Sequence, residues 1–159
     1  MTRFQKGLLL ALLQLVIVMS VAGKYYSDRT RLPRVWVRTM PFDPNLPIRG
    51  RYVRFQVPVE TPTAPAGYFW QAQLSVEGGK LVASPATTPG AVWMQRLGKD
   101  MIVLQEPLAF FIPEHVPDPS RDPQSEGLWV ELSVPATGPP RPLRLGVKKD
   151  GVLRPLDLN

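Results

Sequence analysis

Residues 68–83, Tyr-Phe-Trp-Gln-Ala-Gln-Leu-Ser-Val-Glu-Gly-Gly-Lys-Leu-Val-Ala, decide the fold. Two runs rich in aromatic and branched side chains, 68–76 and 80–83, flank Gly78-Gly79. Glycine takes positive φ without steric cost, so the pair predicts a tight hairpin turn between two strands. The chain downstream repeats this grammar. Runs 91–96 and 101–105 flank Gly98-Lys99-Asp100 as a second hairpin, and 108–112 is an apolar run suited to a buried strand. After the long polar stretch 113–127, strands are expected at 128–134 and 142–148, with Asp150-Gly151 turning the chain back into 152–156.

Upstream, 51–59 alternates, with Phe55, Val57 and Val59 on one face and Arg54, Gln56 and Pro58 on the other. Residues 34–38 (Arg-Val-Trp-Val-Arg) alternate in the same way, whereas 40–47 carries Pro41, Pro44 and Pro47 and reads as irregular chain. The 19 prolines are spread through the chain beyond residue 30 and exclude helices of normal length there. The expectation is an all-β domain over 34–159, of about eight or nine short strands, built as a small β-sandwich or a partly open β-barrel.

The N-terminus is different in kind. Residues 7–23 (GLLLALLQLVIVMSVAG) hold no charge, and Gln14 and Ser20 are the strongly polar positions. As a helix the run spans about 25 Å, close to the hydrocarbon thickness of a bilayer. Tyr25 and Tyr26 follow where an interfacial aromatic belt would lie, with Lys24 placed to snorkel. The segment divides into a short tail, 1–6, a single transmembrane anchor, 7–26, and a polar juxtamembrane linker, 27–33. A cleaved secretory signal is the competing reading, with Arg3 and Lys6 as its basic region and a small-residue site after Ser20-Val21-Ala22. A buried helix of a soluble domain does not suit a run apolar on every face.

Composition narrows the chemistry. The 159 residues contain no cysteine, which removes disulfides, thiolate nucleophiles and Cys-ligated metals. The net charge is +6, and the first third is rich in Arg29, Arg31, Arg34, Arg38, Arg49, Arg51 and Arg54. Such a run suits either solvated strand faces or contact with anionic lipid headgroups just outside a span. Nothing resembles a nucleic-acid motif or stacking platform, so no nucleic-acid partner is expected.

Residues 41–57 (PFDPNLPIRGRYVRFQV) resemble a family of small bacterial membrane-anchored proteins named for the motif Gly-Asp-Tyr-x-x-Leu-x-Tyr (GDYXXLXY). In that family an apolar N-terminal helix leads through a Pro- and Asp-bearing loop into the motif strand. Here the loop offers Pro41, Asp43 and Pro44, then Arg49 and Gly50. Gly50 and Tyr52 stand at the motif's Gly and Tyr, while Arg51 replaces its Asp, Phe55 its Leu and Val57 its final Tyr. The run Phe110-Phe111-Ile112-Pro113-Glu114 is similar to a later aromatic-Val-Pro-Glu stretch of the family. The resemblance implies a single-span protein whose domain lies outside the cytoplasm, and it carries no catalytic residues. Asp43, Pro44, Arg49, Gly50, Arg51, Tyr52 and Phe55 are thus the candidate motif residues, structural or partner-binding. Physically, Gly50 gives a flexible exit from proline-rich chain, and Tyr52 and Phe55 fall on opposite faces of the strand that follows.

Other constellations are thin. Glu114, His115, Asp118 and Asp122 are metal-ligating types, but on a proline-broken stretch they read as a solvated acidic loop. Ser75, Ser84, Ser125 and Ser133 lack a nucleophile-elbow context. Trp36, Trp70, Trp93 and Trp129 fall on four expected strands, as core or as the walls of an apolar groove. The expectation is a membrane-anchored, non-enzymatic β-domain that needs no metal or cofactor and interacts with another envelope protein or a multi-pass membrane protein. The alternatives are a membrane-tethered hydrolase with a Ser-based dyad and a lipid- or small-ligand-binding β-barrel. The expected location is the bacterial inner membrane, with the domain on the periplasmic side.

Overall fold

The computed structural model describes residues 3–42, 52–98, 100–113, 116 and 126–158. The chain divides into two units, 1–32 and 33–159. The first is one helix, α1 (Arg3–Arg31). Its stretch Phe4–Asp28 is long and apolar enough to cross a membrane, and none of it is buried. The hydroxyl of Ser20 donates to the carbonyl of Ile17 at 2.8 Å, so this polar group is satisfied inside the helix, as an apolar solvent requires. The helix runs on through most of the linker expected at 27–33. Thr30 supports that last turn by donating to the carbonyl of Tyr26, and Pro33 follows, where a helix cannot continue.

The second unit is all β among its described residues. Its strands are β1 (Arg34–Arg38), β2 (Met40–Pro41), β3 (Tyr52–Gln56), β4 (Phe69–Glu77), β5 (Lys80–Pro85), β6 (Val92–Leu97), β7 (Met101–Leu104), β8 (Leu108–Phe111), β9 (Leu128–Ser133), β10 (Arg141–Lys149) and β11 (Val152–Pro155). They form three antiparallel sheets, in the orders β1-β9-β10-β11, β2-β3-β8 and β5-β4-β6-β7. Short β2 corrects the reading of 40–47 as wholly irregular: Met40 and Pro41 pair with Gln56 and Phe55. Proline is tolerated there because β2 is an edge strand.

The β4–β5 hairpin has the expected turn. Glu77 opposes Lys80 across Gly78-Gly79, whose φ values of 56° and 76° are both left-handed, the combination that matches strand twist. The sheet β5-β4-β6-β7 curls toward closure through the chain that continues β3. Val59 N–H donates to the carbonyl of Ile102 in β7, and Glu60 N–H donates to the carbonyl of Leu81 in β5. Pro58 thus bridges Val103 antiparallel, and Glu60 bridges Val82 parallel. Isolated bridges rather than full ladders make the join, so the result is a partly open barrel.

The alternation at 53–59 explains how one segment serves two sheets. Val53, Phe55, Val57 and Val59 are all buried, and Phe55 and Val57 fully so. They enter one core with Trp70, Leu74, Met94, Ile102 and Leu104 of the barrel strands and with Val130, Leu132 and Leu145 of the sheet β1-β9-β10-β11. Side chains of period two thus place a continuous apolar stripe between curved sheets.

Candidate functional site

Among the motif residues, the structure describes Tyr52 and Phe55, while Asp43, Pro44, Arg49, Gly50 and Arg51 lie outside the described residues. Tyr52 and Phe55 take opposite faces of β3. Phe55 is 1% exposed and Tyr52 is 47% exposed. Tyr52 opposes Phe111 on β8, and their rings meet edge-on at 5.5 Å. Phe55 is therefore core, and Tyr52 with Phe111 forms a small exposed aromatic pair. Glu114, His115, Asp118 and Asp122 also lie outside the described residues, and no metal-ligating cluster occurs among those described. Of the serines, Ser75 Oγ donates to Glu77 Oε1 at 2.9 Å, and buried Ser133 Oγ faces the carbonyl of Arg141. Ser75 thus bonds a carboxylate two residues along its own strand, and Ser133 a backbone carbonyl.

The organised polar chemistry sits elsewhere, on the outer face of the sheet β1-β9-β10-β11. Trp36 of β1, Glu131 of β9 and Arg144 of β10 are direct cross-strand partners and share that face. A register shift between Pro142 and Arg144 makes this possible. Without that bulge Leu143, not Arg144, would stand opposite Glu131. Glu131 is 5% exposed. Arg144 Nε donates to its Oε2 at 2.6 Å, and Arg34 Nη1 lies 3.9 Å from its Oε1. The hydrogen bond to Glu131, and then its charge, hold the Arg144 guanidinium above its ordinary pKa, against a smaller desolvation effect. A cation raised in this way contributes at every pH below the ordinary arginine range and loses its contribution only above it.

The same cations cover the tryptophans. The Arg144 guanidinium lies 5.9 Å from the Trp36 ring centroid, and Lys148 Nζ lies 5.8 Å from that of Trp129. Trp36 reaches across the sheet to β10, where Gly146 leaves room for it. A Cβ at Gly146 would stand 2.9 Å from Trp36 Cζ3 and 3.0 Å from the carbonyl oxygen of Arg154. Here glycine supplies space rather than conformational freedom.

Trp36 and Trp129 also wall an open groove of about 440 Å³ between this sheet and the barrel. Its floor is Val59, Leu81 and Ile102, and Met101 sits at the lip. Arg38, Glu60, Lys80 and Asp100 form a mixed-charge rim, with Lys80 Nζ 2.9 Å from Glu60 Oε1. Trp129 Nε1 is buried without a hydrogen-bond partner among the described residues, which leaves one donor on the groove wall unspent. A smaller recess of about 280 Å³ lies beside Trp93, Leu104, Leu108 and Pro139-Pro140.

The four tryptophans thus divide. Trp70 is core, with Arg96 stacked 5.5 Å from its centroid and donating to the carbonyls of Pro65 and Gly67. Trp93 is half exposed, and Trp36 and Trp129 make the groove. Sequence reasoning placed Trp36 and Trp129 on strands but missed Glu131, Arg144 and Gly146, whose association depends on non-local register. The one local signal was Trp-Val-Glu at 129–131, a carboxylate inside an otherwise apolar strand. No protein-family model matches this chain, and no curated protein or solved structure matches it either.

Proposed function

We propose that this protein is a membrane-anchored, non-enzymatic β-domain of the bacterial inner membrane that binds another envelope protein or a multi-pass membrane protein, with the domain on the periplasmic side. The observation that carries the reading is α1. Its leucines and valines stand exposed along the whole apolar stretch, with Leu8 at 62% and Val18 at 62%. A chain that spends so much apolar surface without burying it is matched to lipid rather than to water. The resemblance of 41–57 to the GDYXXLXY-motif proteins supports the side of the membrane. The groove between Trp36 and Trp129 supports binding: it is concave, apolar on its floor, and rimmed by charges that orient a partner.

The full chain, solubilised from membranes in mild detergent and captured by a C-terminal tag, is expected to retain a membrane protein reproducibly. Met101→Glu, which puts a charge on the groove's lip, is expected to release that protein while the domain's melting temperature stays unchanged. No reproducible partner, or retention by the Met101→Glu variant, would defeat the reading. The groove's volume also favours a second reading, a lipid- or small-ligand-binding barrel. Native mass spectrometry of the same preparation separates the two, because a small ligand adds a discrete mass and Met101→Glu removes it.

A further inference from the structure

The groove shares Trp36, Arg38 and Trp129 with a wider surface, the outer face of the sheet β1-β9-β10-β11. On it Arg34, Arg38, Arg144 and Lys148 surround Trp36 and Trp129. Of its carboxylates, Glu131 is buried under Arg144, and Glu126 lies 4.0 Å from Lys148. The long side chains that β1 and β10 place on this face beside the half-buried indole rings are all cationic: Arg34, Arg38, Arg144 and Lys148. Arg38 and Arg144 are exposed, and Lys148 is half exposed.

From this geometry we infer that the face rests on the anionic headgroups of the same membrane that holds α1, an inference that depends on the anchor reading. Three features converge. Indole rings with guanidinium or ammonium groups beside them suit the headgroup layer, which is neither fully wet nor fully apolar. The lipid phosphates supply the complementary charge. β1 begins at Arg34, soon after α1 ends at Arg31, so the chain itself delivers this strand to the surface of a bilayer that holds the helix. The buried Glu131 has a definite part in the arrangement. It fixes Arg144 above Trp36 by a 2.6 Å bond, so the cation is held at the surface rather than free to fold away. Each cation near an anionic surface contributes about a fivefold gain in partitioning onto it.

The sequence has no cysteine, so one introduced cysteine carries the whole label. Leu153 on β11 opposes Lys148 and shares this face, whereas Trp93 stands exposed on the barrel. Full-length Leu153→Cys and Trp93→Cys, each labelled with an environment-sensitive dye, are incorporated into nanodiscs. The lipid is phosphatidylcholine alone or an equal mixture with phosphatidylglycerol, doped with a headgroup nitroxide. The Leu153 label is expected to be quenched more in the anionic discs than in the neutral ones, and more than the Trp93 label. Arg38→Gln/Lys148→Gln, which leaves the Glu131–Arg144 bond intact, is expected to reduce that quenching to the neutral-disc level, and Lys148→Arg to keep it. Equal quenching in the two lipids, or a Trp93 label quenched as strongly, would overturn the assignment. Failure of the chain to enter discs at all overturns the anchor, and this proposal with it, and is told apart by its recovery as free protein.

Discussion

Leucine plays opposite parts in the two units of this chain. In α1, Leu8 and Leu13 stand 62% and 57% exposed, while in the β-domain Leu132 and Leu145 are 0% exposed. The residue type and its transfer free energy are the same; the surroundings the fold gives each are different. In the β-domain the core side chains repeat with period two along strands such as β3 and β4 and are buried between sheets. In α1 apolar side chains stand exposed along the whole apolar stretch. The distribution of apolar residues, rather than their number, separates a core from an exposed apolar helix long enough to cross a membrane.

The sharpest way to break this contrast is to shorten an apolar side chain in each unit. Phe55→Ala removes one of the largest fully buried side chains and is expected to cost the β-domain about 3–5 kcal/mol, read by denaturant unfolding. Leu13→Ala in α1 should leave that unfolding curve where it was. Tyr52→Ala, three residues away on the outward face of β3, should cost under about 1 kcal/mol, the worth of an exposed cross-strand ring pair. A Phe55→Ala cost as small as that of Tyr52→Ala would mean that β3 does not bridge the sheets. The converse test charges the helix. Leu13→Arg is expected to disfavour membrane insertion by about 3 kcal/mol, shifting protein from the carbonate-resistant to the soluble fraction while the β-domain keeps its stability. An unchanged distribution would argue that α1 is not held by lipid.

The contrast also marks what was readable in the amino-acid order. The run 7–23, the alternation at 51–59 and the turn at Gly78-Gly79 are local patterns; the hairpin strands lie within two residues of those expected, while β3 stops at Gln56, three residues before the alternation ends. Where α1 ends was not readable, because polar residues 27–31 are as compatible with a helix as with a linker, and Pro33 rather than composition stops it. A partly open barrel was one of the two architectures expected, but the pairings that bring it near closure were not readable. They are Glu60 with Val82 and Pro58 with Val103, set by the curl of a sheet between distant segments. The same holds for the groove. Trp36, Trp129 and Glu131 could each be placed on a strand, but the bulge at Leu143 that brings Arg144 over Glu131 leaves no local trace. Of the resemblance motif, Tyr52 and Phe55 take the opposite faces expected of them.

Within the β-domain, the face of the tryptophans and the interior can be compared at Gly146. Gly146→Ala puts a methyl group 2.9 Å from Trp36 Cζ3 and 3.0 Å from a backbone oxygen, so either the ring or β11 must move. The expected cost is about 1–3 kcal/mol, with a red shift of the tryptophan emission as Trp36 is lifted from the sheet. A stable variant with unshifted emission would show that the ring has room to spare.

The smallest effect expected is at the groove's rim. Lys80 and Glu60 sit 2.9 Å apart, yet their side chains are 63% and 61% exposed. In water their attraction is nearly offset by solvation and by the side-chain entropy lost in holding one geometry. A double-mutant cycle of Lys80→Ala and Glu60→Ala should return a coupling of about 0.2–1 kcal/mol that fades as salt is added. Glu60 differs from an ordinary surface acid in one respect, since its backbone N–H and carbonyl join β5 to the chain that continues β3. Those bonds survive truncation to alanine. A coupling well above 1 kcal/mol that persists in high salt would therefore mean that the side-chain pair, and not the backbone bridge, holds the barrel's seam, and that the rim is a structural clasp rather than a charged border free to meet a partner.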